Sequence, residues 1–143
     1  MTHLQQAKKS LELAGLDQEK LYSSLRTMGR KHVKGADMKA SWCWENPTRN
    51  YCYVVSEMIY FYLSPLGTQP MSLEVSGDPG LHRFLIYPNG DIIDATCDQF
   101  PDTIQLDYTK AKKRGFMQTG GKGPSKRARM LSELMELKPY EYL

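Results

Sequence analysis

Residues 51–63 (YCYVVSEMIYFYL) form the longest apolar run in the chain and carry a single charged side chain, Glu57. The run is too short to cross a bilayer, which takes about 20 apolar residues, and Pro65 and Gly67 end it. Its length suits a helix, and Val54, Val55, Met58, Ile59, Phe61 and Leu63 cover nearly every side of that helix. A helix that is apolar nearly all round is buried on all sides. The remainder of the 143-residue chain therefore has to wrap one central helix, as expected for a single domain over residues 1–143.

The flanking segments predict what does the wrapping. Leu4, Ala7, Leu11 and Ala14 recur at helical spacing over residues 3–14, and Gly15 is a stop. A second helix is predicted from Asp17, a good N-cap, to Arg30, with Leu21, Leu25 and Met28 on one face. These helices make an N-terminal extension over residues 1–35, and residues 32–39 read as a linker. Residues 41–50 (SWCWENPTRN) read as a loop in which Pro47 favours an extended or turn conformation at Asn46. Asn50 is the expected N-cap of the central helix. Strands are predicted over 71–76, 82–87 and 91–96, and Pro88-Asn89-Gly90-Asp91 is a hairpin signal. Beyond Pro101 the chain reads as irregular and basic through Gly121. A last helix over 125–137 is capped by Ser125 and carries a stripe of Met130, Leu131, Leu134 and Leu137. The expected architecture is α+β, with a buried central helix on a small antiparallel sheet of three or more strands and flanking helices at both ends.

Charge and cysteine usage bound the partners. The net charge is +3, yet eight Lys or Arg residues and no acid fall between Thr109 and Met130. The segment Lys110–Arg129 can contact the phosphates of a nucleic acid, an acidic protein or a phosphorylated ligand, although a solvated face is the default for such a run. Cys43, Cys52 and Cys97 are odd in number, and Met1–Lys9 has no apolar signal core. Both features predict a cytoplasmic, reducing setting and no membrane attachment. Cys43, Cys52, Cys97 and His82 lack the C-x-x-C spacing of zinc modules, and Gly120-Gly121-Lys122 lacks the Ser or Thr of a phosphate loop. No metal or cofactor is expected. Trp42 and Trp44 can line a substrate groove or pack beneath their loop.

Cys52 lies in the first turn of the predicted central helix. Unpaired N–H groups and a partial positive charge there favour a thiolate, so this cysteine is the candidate nucleophile. The competing reading is a small buried hydrophobe. His82 opens the second strand and is the one histidine on a predicted rigid element; its imidazole can take and return the thiol proton. Asp94 in the third strand can orient that imidazole, and Asp98 is its rival. A two-residue turn at Asn89-Gly90 sets Cys97 opposite His82 and turns Asp94 to the other face. A three-residue turn through Asp91 sets Asp94 opposite Ile86 and Asp98 opposite His82. Asp94 then meets His82 only through a wider loop or a bulge.

The order of Cys at a helix start, His on a strand and Asp on the next strand resembles papain-like and transglutaminase-like cysteine enzymes. More closely, NPTRNYC, HRFLIYPNGDIIDATCDQF and the terminal SKRARMLSELMEL resemble the YunG-like family of small bacterial and phage proteins. The residues that match are Asn46, Pro47, Arg49, Cys52, His82, Gly90, Asp94, Thr96, Gln99 and Phe100, over residues 41–138. Asn50 and Tyr51 depart from the small and amide residues expected before the thiol. The resemblance implies a papain-like core, a Cys52 site, and Asp94 over Asp98. The papain-like comparison also implies that Asn46, six residues before Cys52, helps hold an oxyanion with the Cys52 N–H, a contribution of about 3 kcal/mol.

Two functions follow as expectations. One is a cysteine-dependent hydrolase or acyl transferase acting on an amide, isopeptide or thioester of a protein or peptide-like substrate. The other is a catalytically idle binding module that uses residues 109–130 to contact nucleic acid or an acidic partner.

Overall fold

A computed structural model of the chain describes residues 1–31, 44–77, 80–116 and 123–140. The predicted linker at 32–39, Trp42, Cys43 and the stretch Gly120–Lys122 lie outside the described residues. Helix α1 spans His3–Ala14 and opens with a capping box in which Thr2 and Gln5 exchange side-chain and backbone hydrogen bonds. Gly15 closes it at φ 73°, a left-handed conformation that glycine adopts without steric cost. Helix α2 spans Gln18–Lys31, and the Asp17 carboxylate accepts from the Lys20 N–H at 2.9 Å. Leu11, Leu21, Leu25 and Met28 are buried in the same core as the central helix, so the N-terminal helices are part of that core.

The central helix, α3, spans Cys52–Tyr62. Asn50 does not cap it. Tyr51 holds the cap position, and no side chain caps the first turn. Asn50 instead takes φ 67°, a region that asparagine tolerates better than most residues, and so turns the chain into the helix. Cys52 is consequently the first helical residue. A 3-10 turn at Ser64–Leu66 ends the helix, as Pro65 and Gly67 predict.

Among the described residues the sheet has four antiparallel strands: β1 (Gln69–Glu74), β2 (Leu81–Ile86), β3 (Ile92–Ile93) and β4 (Lys112–Lys113), in the order β3-β2-β1-β4. β3 is shorter than its predicted 91–96, because after Ile93 the chain leaves the ladder and turns into a 3-10 helix at Cys97–Gln99. β4 falls in the segment expected to be irregular. Leu85 and Ile93 point into the large core, with α3 and helix α4 (Lys126–Leu134) packed over it. Met71, Leu73, Val75 and Phe84 occupy the opposite face and form a smaller core beneath Phe100, Ile104, Leu106 and Tyr108. The fold is α+β.

The hairpin between β2 and β3 has a loop of Pro88-Asn89-Gly90, with Leu85 opposite Ile93 and Ile86 opposite Ile92. The Tyr87 N–H donates to the Asp91 carbonyl at 2.9 Å, and Gly90 takes φ 93°. Neither register weighed from the sequence is realised. The loop is three residues long but starts at Pro88, one residue earlier than the turn through Asp91. Extended by one step, this register sets Asp94 beside Phe84, on the face that also carries His82.

The one charge of the apolar helix is held from outside. Glu57 has no exposed surface, and its carboxylate accepts from the Ser125 N–H at 2.8 Å and the Ser125 hydroxyl at 2.7 Å. Ser125 is the N-cap of α4, where partial positive charge favours a carboxylate. α4 ends at Leu134, short of the predicted Leu137. Glu57→Ala is expected to destabilise the protein by about 2–3 kcal/mol, read as a lower urea midpoint. An unchanged midpoint would show that this contact does not hold α4 to the core.

Candidate active site

His82 is the second residue of β2 and is buried. Its Nε2 lies 2.7 Å from Asp94 Oδ2, and neither side chain has exposed surface. The rings of Phe84 and Phe100 stand 6.1 and 5.0 Å from the imidazole, centroid to centroid. Asp94 is held in turn by two residues that the sequence did not single out. The Tyr108 hydroxyl donates to its Oδ2 at 2.8 Å, and its backbone N–H donates to Ser10 Oγ at 2.9 Å. Tyr108 sits in the stretch read as irregular and basic, and Ser10 sits on α1, so no local pattern pointed to either.

Cys52 reaches the same place from the start of α3. It is partly exposed, and its Sγ lies 4.0 Å from the carbonyl of Leu81, the residue before His82. Burial opposes charge on the imidazole and is the largest single influence on it. The adjoining Asp94 carboxylate, and after it the Cys52 thiol, outweigh burial and push the His82 pKa up to about 10. With Nε2 committed to Asp94, Nδ1 is the nitrogen left to exchange a proton with the thiol. Nδ1 is buried and has no hydrogen-bond partner among the described residues.

Asp98, the rival acid, is engaged elsewhere. Its carboxylate accepts from Thr48 Oγ1 at 2.7 Å and from the Tyr22 hydroxyl, which ties the 44–51 loop and α2 to the 3-10 helix. Burial pushes its pKa up, against the pull of these two hydrogen bonds. Asn46 is also tied down: its Nδ2 donates to the Gln99 carbonyl at 3.0 Å, while its Oδ1 is buried without a partner among the described residues. No hydrogen bond among the described residues joins Asn46 to Cys52, His82 or Asp94. Trp44 is largely exposed, with the Arg26 guanidinium 5.3 Å from its ring centroid.

Arg83, next to His82, was not anticipated either. It is buried, and its guanidinium donates to the carbonyls of Met71 (3.1 Å), Arg114 (2.6 Å) and Gly115 (2.9 Å). It also lies 5.1 Å from the Tyr53 ring centroid and 4.9 Å from that of Phe116. Burial lowers its pKa, with the charges of Tyr53, Cys52 and Glu57 acting the other way. The basic stretch is thus anchored at one end: Lys112 and Lys113 form the edge strand, and Arg114 is held by Arg83. Lys126 and Arg127 belong to the first turn of α4.

Cys97 is buried and donates to the His3 carbonyl at 3.1 Å. Burial, then the charges of Asp94 and Asp98, raise its pKa far above the ordinary thiol value. Among the described residues no three His, Cys, Asp or Glu side chains are grouped to hold a metal, and no helix is long and apolar enough to cross a membrane. Comparison of the chain with protein-family models, curated proteins and solved structures finds no match.

The His82–Asp94 pair makes stability depend on pH. A histidine whose pKa is raised on folding stabilises the fold fully below its ordinary value of 6.5, and that contribution disappears as pH climbs through about 10. Unfolding free energy should therefore fall between these limits, by up to about 1.4 kcal/mol per pH unit. Asp94→Asn should flatten this slope in urea titrations run across the range. Identical slopes in the two proteins would refute the linkage.

Proposed function

We propose that the protein is a cysteine-dependent hydrolase or acyl transferase that acts on an amide, isopeptide or thioester bond of a protein or peptide-like substrate. The observation that carries this reading is the His82–Asp94 contact at 2.7 Å, in a site where neither side chain meets solvent and the Cys52 thiol lies 4.0 Å from the carbonyl of Leu81, the residue before His82. A buried carboxylate that fixes the Nε2–H tautomer leaves Nδ1 to accept a proton, which is what a thiol nucleophile requires. The resemblance to YunG-like proteins and, more distantly, to papain-like and transglutaminase-like enzymes points the same way.

In this reaction the Cys52 thiol has already given its proton to His82 Nδ1, as the raised His82 pKa favours, and the sulfur attacks the substrate carbonyl carbon as a thiolate beside the imidazolium. The carbonyl π-bond opens to an oxyanion. The N-terminal turn of α3, which no side chain caps, supplies the Cys52 N–H and the helix dipole to that oxygen. Asn46 could add its amide through the second Nδ2 hydrogen, since the first is bound to the Gln99 carbonyl. Collapse of the intermediate expels the amine or thiol, which takes the proton back from His82 and leaves an acyl thioester on Cys52. Water or a second nucleophile, deprotonated by the same histidine, then releases the acyl group. Asp94 holds the imidazole and stabilises its cationic form, and Tyr108 holds Asp94.

The test is the rate of Cys52 alkylation by iodoacetamide at pH 6, followed by mass spectrometry. Cys52 is expected to label faster than Cys43 and Cys97, and His82→Ala should remove that advantage, slowing labelling about tenfold or more. A Cys52 no faster than the other thiols, or unreactive until the protein unfolds, would make it a core residue and end the enzymatic reading. Tyr108→Phe leaves all three proposed reacting groups in place. It should slow labelling by less than His82→Ala does, and an effect equal to that of His82→Ala would give Tyr108 a larger part than holding Asp94.

A further inference from the structure

β4 covers only part of the outer edge of β1. Met71 pairs with Lys113 and Ser72 with Lys112, and the Arg114 N–H donates to the Pro70 carbonyl at 3.1 Å. Beyond Ser72 the two segments part, because the chain before β4 turns into a 3-10 helix at Tyr108–Lys110. Leu73 and Glu74 still pair with β2 on their inner side, opposite His82 and Leu81, but among the described residues no strand pairs with their outer side. An open groove of about 780 Å³ lies there, lined by Leu73, Glu74, Leu81, Lys110, Lys112 and Arg114 among others. Three cations thus face one carboxylate, and none of the three forms an ion pair among the described residues.

We infer that this groove takes an extended acidic polypeptide, which adds to the outer edge of β1 as a further strand. A strand edge presents alternating N–H and C=O groups, and an extended peptide backbone matches both. A nucleic-acid backbone matches the lysines but not that alternation. The excess positive charge selects acidic side chains and speeds encounter. Leu81 also lines the groove, and its carbonyl lies 4.0 Å from the Cys52 thiol, so a peptide bound there is a candidate substrate of that sulfur. Only the last step, that the bound peptide is the substrate, rests on the proposed thiol chemistry. Binding itself does not.

Fluorescence anisotropy of the full-length chain at low salt, with a fluorescein-labelled peptide of alternating glutamate and valine, tests the inference. It is run on Cys52→Ser as well as the wild type, so that failure of the chemistry does not hide binding. Both proteins should bind the peptide. N-methylation of alternate residues in the peptide, which removes backbone donors and keeps the charge, should weaken binding about tenfold. Lys110→Glu with Lys112→Glu, both exposed, should weaken it by at least as much, and Glu74→Lys should strengthen it. Equal affinity for the N-methylated peptide would show attraction by charge alone and overturn strand addition. Absence of peptide binding would overturn the inference, as would an oligothymidylate that binds more tightly than the peptide and is lost with the same lysines. Binding without turnover by the wild type would leave the groove intact and count against the proposed reaction.

Discussion

A carboxylate with no exposed surface is costly to bury unless other groups meet it; His82 and Tyr108 meet that of Asp94 at Oδ2, and Ser10 holds the Asp94 backbone N–H. His82 comes from β2, Tyr108 from the stretch that roofs the smaller core, and Ser10 from α1. None of these three is near Asp94 in sequence, so the contact closes the fold around a single point. The loop at Pro88–Gly90 makes it geometrically available, since it sets the register that brings Asp94 to the His82 face. A change of one residue in that loop would turn the carboxylate toward the helical core.

Two further buried charges follow the same logic. Glu57 sits in the most apolar helix of the chain and receives the N-terminus of α4 through Ser125. Arg83 projects between the sheet and the aromatic rings of Tyr53 and Phe116, and satisfies its donors on three carbonyls. Apolar packing alone tolerates many arrangements of helices on a sheet. A buried charge tolerates few, because losing its partners costs more than losing a methyl group. The positions of α4 and of the edge strand are therefore specified by polar contacts, while the bulk of the stability comes from the apolar cores.

Much of this was legible in the sequence for definite reasons. Helix α1 matches its predicted limits because periodicity and the Gly15 stop are local signals. The central helix was readable from the length of its apolar run, and Cys52 at its start from the order of residues alone. The exceptions are also physical. Asn50 was a plausible cap, but its backbone adopts a left-handed turn that propensity does not separate from capping. β4 is two exposed lysines with no alternating pattern, and it exists because β1 had an unpaired edge beside it. The papain-like resemblance implies an oxyanion role for Asn46, and the bond from its amide to the Gln99 carbonyl is a contact between loops that no local pattern encodes.

The sequence by itself determined the α+β architecture, the central buried helix, and the order along the chain of the Cys52 thiol, the His82 imidazole and the two acids Asp94 and Asp98. These are properties of periodicity, turn chemistry and residue type, each set within a few neighbours along the chain. Only the tertiary structure decided between Asp94 and Asp98, because that choice depends on a register of one residue and on which partners the competing acid had already found. It also decided that, among the described residues, His82 is buried against Asp94 with no hydrogen-bond partner at Nδ1, and that no strand covers the end of β1 beside the lysines. Both outcomes depend on where distant segments stop and turn, which no local pattern records.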